Sequence, residues 1–366
     1  MKIAIIGTRG VPNHHGGFEQ FAEYFSTYAV EKGHEVFVYN SHSHPYQNKE
    51  YKGVNIIHCY DPEERIGTAG QFIYDFNCIM DARKRNFDIL LQLGYTSSSI
   101  WGRLLPKKAV IVTNMDGLEW KRSKYSKKVQ GFLKYAERLA TKTSDFLIAD
   151  SVGIQDYIKK KYQLNSKYIA YGANVFKPDH EKHSLSTYKL EQEQYYLLIA
   201  RMEPENNIEM ILDGFILSKS SRVFCVVGSI KATVFGNYLK EKFSKYKNIR
   251  FLGAIYDLND LNYLRSYSQL YFHGHSVGGT NPSLLEAMGS NALIAANDNL
   301  FNKAILGSDA FYFSSIDEVS SIISSVNKKN HMEMIKNNII KIENQFSWDS
   351  INKQYIDYLI KCFNEK

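Results

Sequence analysis

The chain has 366 residues, 44% of them hydrophobic, and a formal net charge of +7. That length predicts two domains with ordinary globular cores. Its four cysteines, Cys59, Cys78, Cys225 and Cys362, form no Cys-x-x-Cys pair. This argues against a disulfide framework or a zinc site and fits a reducing cytosol.

In chain order, Lys2–Gly7 reads as a β-branched, buried strand running into a turn, too brief for a signal peptide. Phe18, Phe21, Ala22, Phe25 and Ala29 then fall at helical spacing, predicting an amphipathic helix that ends near Gly33. Strands are predicted at His34–Asn40, Val54–His58, Ile89–Leu93, Val110–Thr113, Phe146–Ala149 and Tyr168–Ala170, mostly separated by helical patterns. The rhythm stops in the polar stretch Phe176–Glu193, which reads as a linker or the entry to a second domain. A second alternation follows. Strands fit Tyr195–Ala200, Val223–Gly228, Ile249–Leu252, Leu270–His273 and Leu293–Ala296. Helices fit Ile208–Leu217, Val234–Tyr246, Leu258–Tyr267 and Pro282–Met288, with a long amphipathic helix at Ser347–Phe363. Strands alternating with helices imply parallel sheets covered on both faces, hence two α/β domains facing a central cleft.

The charge is uneven. Residues 1–175 carry 24 Lys and Arg against 17 Asp and Glu, and residues 176–366 carry equal numbers. Lys107, Lys108, Lys121, Arg122, Lys124, Lys127, Lys128 and Lys134 are interleaved with Tyr125, Phe132, Leu133 and Tyr135. Such a segment suits an anionic membrane surface, or else a solvated helix face. Nucleic acid is not expected, because no recognition motif accompanies the charge. No apolar run approaches the ~20 residues of a membrane span, so the expected location is cytoplasmic, with peripheral attachment at the inner face of the membrane as the alternative.

Four constellations carry chemistry. The first is Gly7-Thr8-Arg9-Gly10 with His14-His15-Gly16-Gly17. A glycine-rich loop after the first strand is where doubly wound folds bind phosphate. Gly16, Gly17 and Arg9 are candidates for that anion, and His14 and His15 for the opposite side of the cleft. A structural glycine turn is the competing reading. The loop is no Gly-x-Gly-x-x-Gly fingerprint, and Asn40 stands where a dinucleotide enzyme offers an acid, which disfavours a nicotinamide cofactor. The second is Ala200-Arg201-Met202-Glu203-Pro204, where Arg201, just past a strand, is placed to clamp a diphosphate.

The third, His275-Ser276-Val277-Gly278-Gly279-Thr280-Asn281-Pro282, is a strand exit, a glycine loop and a helix start. Asn281 is a good N-cap, and Pro282 suits the first helical position. Gly278, Gly279 and Thr280 then offer an anion their N–H groups, with Glu286 one turn inside the helix and His275 lining the site. An anion site beside a carboxylate suits a nucleotide sugar. In the fourth, Asn114-Met115-Asp116-Gly117-Leu118-Glu119, Asp116 is placed to touch a sugar or accept a hydroxyl proton, with Glu119 as the alternative base. Capping or pairing with Lys121 and Arg122 explains the two acids equally simply. No Asp-x-Asp pair, clustered carboxylates or spaced His/Cys ligands appear near these motifs, so no metal site and no cofactor are expected.

Together these pieces resemble the retaining GT-B glycosyltransferases of glycosyltransferase family four, the "group 1" transferases. The resemblance rests on the Gly16-Gly17 loop, Arg201 with Pro204, Tyr171-Gly172-Ala173-Asn174, Leu285-Glu286-Ala287-Met288 and Phe346-Ser347-Trp348. Gly117-Leu118-Glu119-Trp120-Lys121-Arg122 and Ser276-Val277-Gly278-Gly279-Thr280-Asn281-Pro282 look like the bacterial rhamnosyltransferase-type branch, which builds capsule, exopolysaccharide and O-antigen. The resemblance implies a GT-B fold. Residues 1–175 would form an acceptor-binding domain, residues 176–345 a nucleotide-sugar-binding domain, and residues 346–366 a helix crossing back onto the first.

It further implies metal-independent transfer of a sugar, L-rhamnose from dTDP-rhamnose as the best match, to a saccharide acceptor linked to polyprenyl diphosphate. Asp116, Arg201 and Glu286 would be the catalytic set, and His14, His15 and Glu119 would face the acceptor. Two positions depart from the family. Gly278 stands where the first of two glutamates is usual, and Asn206-Asn207 replace Lys-Gly. The departures keep open a catalytically silent nucleotide-sugar-binding subunit, and a nucleotide-sugar epimerase is the rival enzyme.

Overall fold

The computed structural model describes residues 1–366 except 15, 116, 123–124, 180–183 and 231–232. Its contacts separate two compact units. The first joins Met1–Lys121, Tyr125–Gly172 and Trp348–Lys366, and the second is built on Ala173–Ser347.

The first unit is an eight-stranded sheet. Its strands are β1 Lys2–Ile6, β2 Glu35–Ser41, β3 Glu50–Tyr51, β4 Val54–Cys59, β5 Ile89–Leu93, β6 Val110–Asn114, β7 Phe146–Ala149 and β8 Lys167–Tyr168. They lie in the order β3-β4-β2-β1-β5-β6-β7-β8. Every neighbouring pair is parallel except β3 with β4. All five residues of β5 and of β6 are buried, as expected of central strands covered on both faces. Ile3 pairs with Val36 on one side and with Ile89 on the other, so β1 sits mid-sheet.

Helix Gly17–Glu31 buries Phe21, Ala22, Phe25 and Ala29, the stripe expected from their spacing. Helix Trp348–Glu365 packs on it within the same unit. Tyr24 stacks on Trp348 with ring centroids 4.5 Å apart, and Phe21 lies 4.5 Å from Tyr355. Tyr355 Oη accepts a 2.9 Å hydrogen bond from Asn114 Nδ2 at the end of β6.

The second unit is a six-stranded, wholly parallel sheet of β9 Tyr195–Ile199, β10 Val223–Val227, β11 Ile249–Gly253, β12 Leu270–His273, β13 Ile294–Asn297 and β14 Phe311–Phe313. Its order is β11-β10-β9-β12-β13-β14. Tyr196, Phe215, Phe224, Phe272 and Phe313 form the aromatic heart of its core.

Four local expectations change. The eighth strand lies at Lys167–Tyr168, one residue earlier and shorter than predicted. The helix begun at Val234 stops at Lys242, because Phe243 and Tyr246 reach the core from a turn closed by Tyr246 N–H on Phe243 O. Strands β3 and β14 are additions. Among the described residues, no helix is long and apolar enough to cross a membrane.

Candidate functional site

In open α/β sheets, ligands bind outside the carboxyl ends of the strands, where the strand order reverses. The second sheet reverses between β9 and β12. The loops leaving those strands hold Arg201 and His275–Asn281, motifs some 75 positions apart in sequence.

Hydrogen bonds stitch the two loops together. Ser276 donates from its N–H (3.0 Å) and its Oγ (2.8 Å) to Glu205 O. Asn207 Nδ2 donates to Gly274 O at 2.8 Å, and Asn206 Nδ2 to Arg201 O at 2.7 Å. The approach is so close that a Cβ on Gly274 would lie 2.0 Å from Asn206 O, so only glycine fits there. Asn207 adopts φ +50°, a left-handed conformation that asparagine tolerates better than most residues. This accounts physically for an asparagine where a glycine is usual.

Around this junction, the Arg201 side chain is 68% exposed, with Glu203 Oε2 4.0 Å away. The rings of His273 and His275 stack at 4.4 Å. Neither nitrogen of His273, nor Nδ1 of His275, has a partner among the described residues. Burial, followed by the field of Arg201, pushes His275 down to about 4, and burial holds His273 well below the usual histidine range. Both rings are therefore neutral at pH 7 and offer polar atoms without charge. The backbone of His275 is fixed by Asn299 Nδ2 and Asn302 Nδ2, which donate to its carbonyl at 3.0 and 3.1 Å.

The helix start has the expected caps. Asn281 Oδ1 accepts from Ser283 N–H at 2.9 Å, and Pro282 opens helix Pro282–Gly289. Thr280 is buried just ahead of it. Gly278 has φ +133° with open space around it. A glutamate there would be strained by its backbone rather than by its neighbours. Glu286, one turn into the helix, accepts a 2.7 Å charged hydrogen bond from Arg265, whose side chain is only 1% exposed. Arg265 also donates to Asn262 Oδ1 (2.9 Å) and Ser283 Oγ (3.2 Å). It therefore aims Glu286, a positioning role the sequence reading missed.

The first sheet reverses between β1 and β5, and a cavity of about 490 Å³ opens beside their carboxyl ends. Arg9, Asp61, Glu63, Asp75, Glu119 and Phe132 are among its lining residues. Arg9 does not stand ready for a phosphate. Its Nε and Nη2 donate to the two oxygens of Glu63 at 3.0 and 2.8 Å. Its N–H donates to Glu19, a buried carboxylate that also accepts from Thr8 Oγ1. Asn40, the residue that disfavoured a dinucleotide, grips the same loop by exchanging hydrogen bonds with Val11 N–H (3.0 Å) and Val11 O (2.8 Å).

Gly16 and Gly17 begin helix Gly17–Glu31 in the first unit, outside the cavity lining and in a different unit from Arg201 and Gly278. His14 is exposed, edge-on to His44, and also outside the lining. Glu119 does line the cavity. His15 and Asp116 lie outside the described residues.

Asp75 was missed, although its signal was present. With Cys78, Ile79 and Ala82 it occupies one buried face of helix Gly70–Ala82, an acid within an apolar stripe. Among the described residues, no group of three or more His, Cys, Asp or Glu is placed to hold a metal ion.

Residues 1–174 match the family described as "Domain of unknown function (DUF1972)". No curated protein matches the sequence. Solved structures do match over the whole chain. A sucrose-phosphate synthase from Thermosynechococcus elongatus is 15% identical with a TM-score of 0.78, covering 100% of both chains. HepE from Anabaena, in complex with UDP-glucose, is 13% identical with a TM-score of 0.75, covering 98% of this chain and 99% of that one. A glycosyltransferase from Rickettsia africae is 14% identical with a TM-score of 0.69, covering 100% and 98%. At such identities the likeness is one of fold, and the fold is that of the GT-B glycosyltransferases: α/β, with two parallel-sheet domains.

Proposed function

We propose that the protein is a retaining, metal-independent glycosyltransferase. It takes a sugar from a nucleoside diphosphate donor held by the second unit to a saccharide acceptor held by the first. The observation that carries this reading is the junction of the Arg201 and His275–Asn281 loops at the reversal of the second sheet. A long, exposed cation, a glycine loop and a capped helix N-terminus meet there, a set suited to a diphosphate. The UDP and UDP-glucose complexes of the HepE relative support the same class of donor.

In this mechanism, Arg201 and the backbone N–H groups of Gly279 and Thr280 stabilise the charge that develops on the leaving diphosphate. Glu286, aimed by Arg265, accepts hydrogen bonds from the ribose hydroxyls. The acceptor hydroxyl attacks the anomeric carbon from the face the diphosphate leaves, and its proton passes to the departing phosphate oxygen. Asp116 orients the sugar. The donor sugar is L-rhamnose on dTDP, and the acceptor is a polyprenyl-diphosphate-linked saccharide of capsule, exopolysaccharide or O-antigen assembly. The protein works in the cytoplasm at the inner face of the membrane.

Arg201→Ala is expected to lower turnover about tenfold or more while the melting temperature of the free protein holds. Glu286→Ala is expected to lower turnover as much and, because it leaves the buried Arg265 guanidinium without its carboxylate, to lower the melting temperature as well. The donor is found by thermal shift against nucleoside diphosphates and their sugars, the right one raising the melting temperature. Wild-type turnover in either variant overturns the assignment.

A further inference from the structure

The cavity of the first unit carries more information than its place in the sheet. Among its described lining residues, four carboxylates, Asp61, Glu63, Asp75 and Glu119, stand against one guanidinium, that of Arg9, which is closed on Glu63. Asp75 is 4% exposed. Ser97 Oγ donates to its Oδ2 at 2.5 Å, and its Oδ1 has no partner among the described residues. The same lining includes aromatic rings, and two of them, Phe72 and Phe132, meet edge-on with centroids 5.7 Å apart.

Carboxylate oxygens take hydroxyl donors, and aromatic faces take the C–H face of a pyranose ring. The volume falls within the range of small-molecule sites. A phosphate would meet like charge on the polar side and no free cation among the described lining residues.

We propose that this cavity binds an uncharged, hydroxyl-bearing sugar, with Asp75 accepting a hydrogen bond from one of its hydroxyls, and that it turns away sugar phosphates. The proposal rests on reading the first unit as the acceptor side and narrows that reading to one class of acceptor head group. A lipid-linked saccharide meets the requirement when its sugar end enters and its phosphates stay outside.

The test uses the full chain and three neutral probes, the methyl glycosides of L-rhamnose, D-glucose and D-galactose. Each is titrated by saturation-transfer NMR beside glucose 6-phosphate, and UDP is titrated separately. At least one glycoside is expected to bind about tenfold or more tightly than glucose 6-phosphate. Asp75→Ala should weaken it about tenfold with UDP affinity unchanged, and Asp75→Asn, which keeps an acceptor oxygen, should weaken it by about threefold or less. Glucose 6-phosphate binding as well as the best glycoside overturns the proposal. So does equal glycoside binding by Asp75→Ala, or the absence of glycoside binding. Loss of UDP binding with glycosides still bound would instead sink the donor reading and leave this one standing.

Discussion

Asp75 and Arg265 show how a single buried charge reveals its purpose. Arg265 is compensated, with Asn262, Ser283 and Glu286 around its guanidinium. Asp75 is not, and burial pushes its carboxyl up to about 6. A raised carboxyl favours the folded state fully only below its unfolded value near 4, and that advantage is lost as pH climbs through 6. Above pH 6 the ionised group costs about 3 kcal/mol. Asp75→Asn removes that cost. Urea denaturation should therefore show the stability difference between variant and wild type moving about 2 kcal/mol in the variant's favour from pH 4 to pH 8. A difference that stays constant with pH would mean the carboxyl is not held this way. A group that destabilises its own fold at neutral pH is a natural candidate for work on a ligand. The positions of Asn281 and Pro282 were legible in the sequence because capping depends on residues within one turn. Arg265 and Glu286 were not legible as a pair, since 21 positions separate them and only the fold brings them together.

At the scale of elements, strands such as Ile89–Leu93, apolar but for Gln92, and the wholly apolar Phe146–Ala149 were plain in the sequence, while β3 and β14 escaped. Two residues of Glu and Tyr, or three ending on an edge, carry no period to read. Helix Lys127–Thr143 was legible as basic with aromatics interleaved, and the structure adds which of them reach solvent. Leu133, Ala136 and Ala140 are buried, whereas Val129, Phe132 and Tyr135 remain exposed beside Lys127, Lys128 and Lys134. This face suits an anionic bilayer, the lysines drawing it in and the apolar side chains seating it. Flotation with phosphatidylglycerol liposomes should recover the protein at low salt and lose it progressively with added salt. Replacing Tyr135, which lies outside the cavity lining, by Ser should weaken recovery without changing the melting temperature by more than a few degrees. Recovery indifferent to both salt and substitution would leave a plain solvated face.

For the whole molecule, the alternation of strand and helix announced two units, whereas the return of residues 346–366 to the first was implied by the family resemblance and by no period in the sequence. The buried residues of helix Trp348–Glu365 include Trp348, Ile351, Tyr355, Leu359 and Cys362, packed into the first unit. At ~1.5–3 kcal/mol for each large apolar side chain, their loss rivals the ~5–15 kcal/mol that holds a typical domain together. A chain ending at residue 347 should yield a second unit that resists limited proteolysis and a first unit that does not, read by mass spectrometry of the fragments. A resistant first unit would show that the helix is dispensable.

That arrangement also sets an order of events during synthesis. The body of the first unit emerges from the ribosome before that of the second, yet one wall of its core is encoded about 175 residues later, beyond Ala173–Ser347. Phe21, Phe25 and Asn114, which that helix covers, must wait for it, while the continuous stretch Ala173–Ser347 collapses without delay. Of the two units, the one translated earlier is the later to finish folding, so a ribosome stalled between residues 173 and 347 holds a first unit that still lacks one wall.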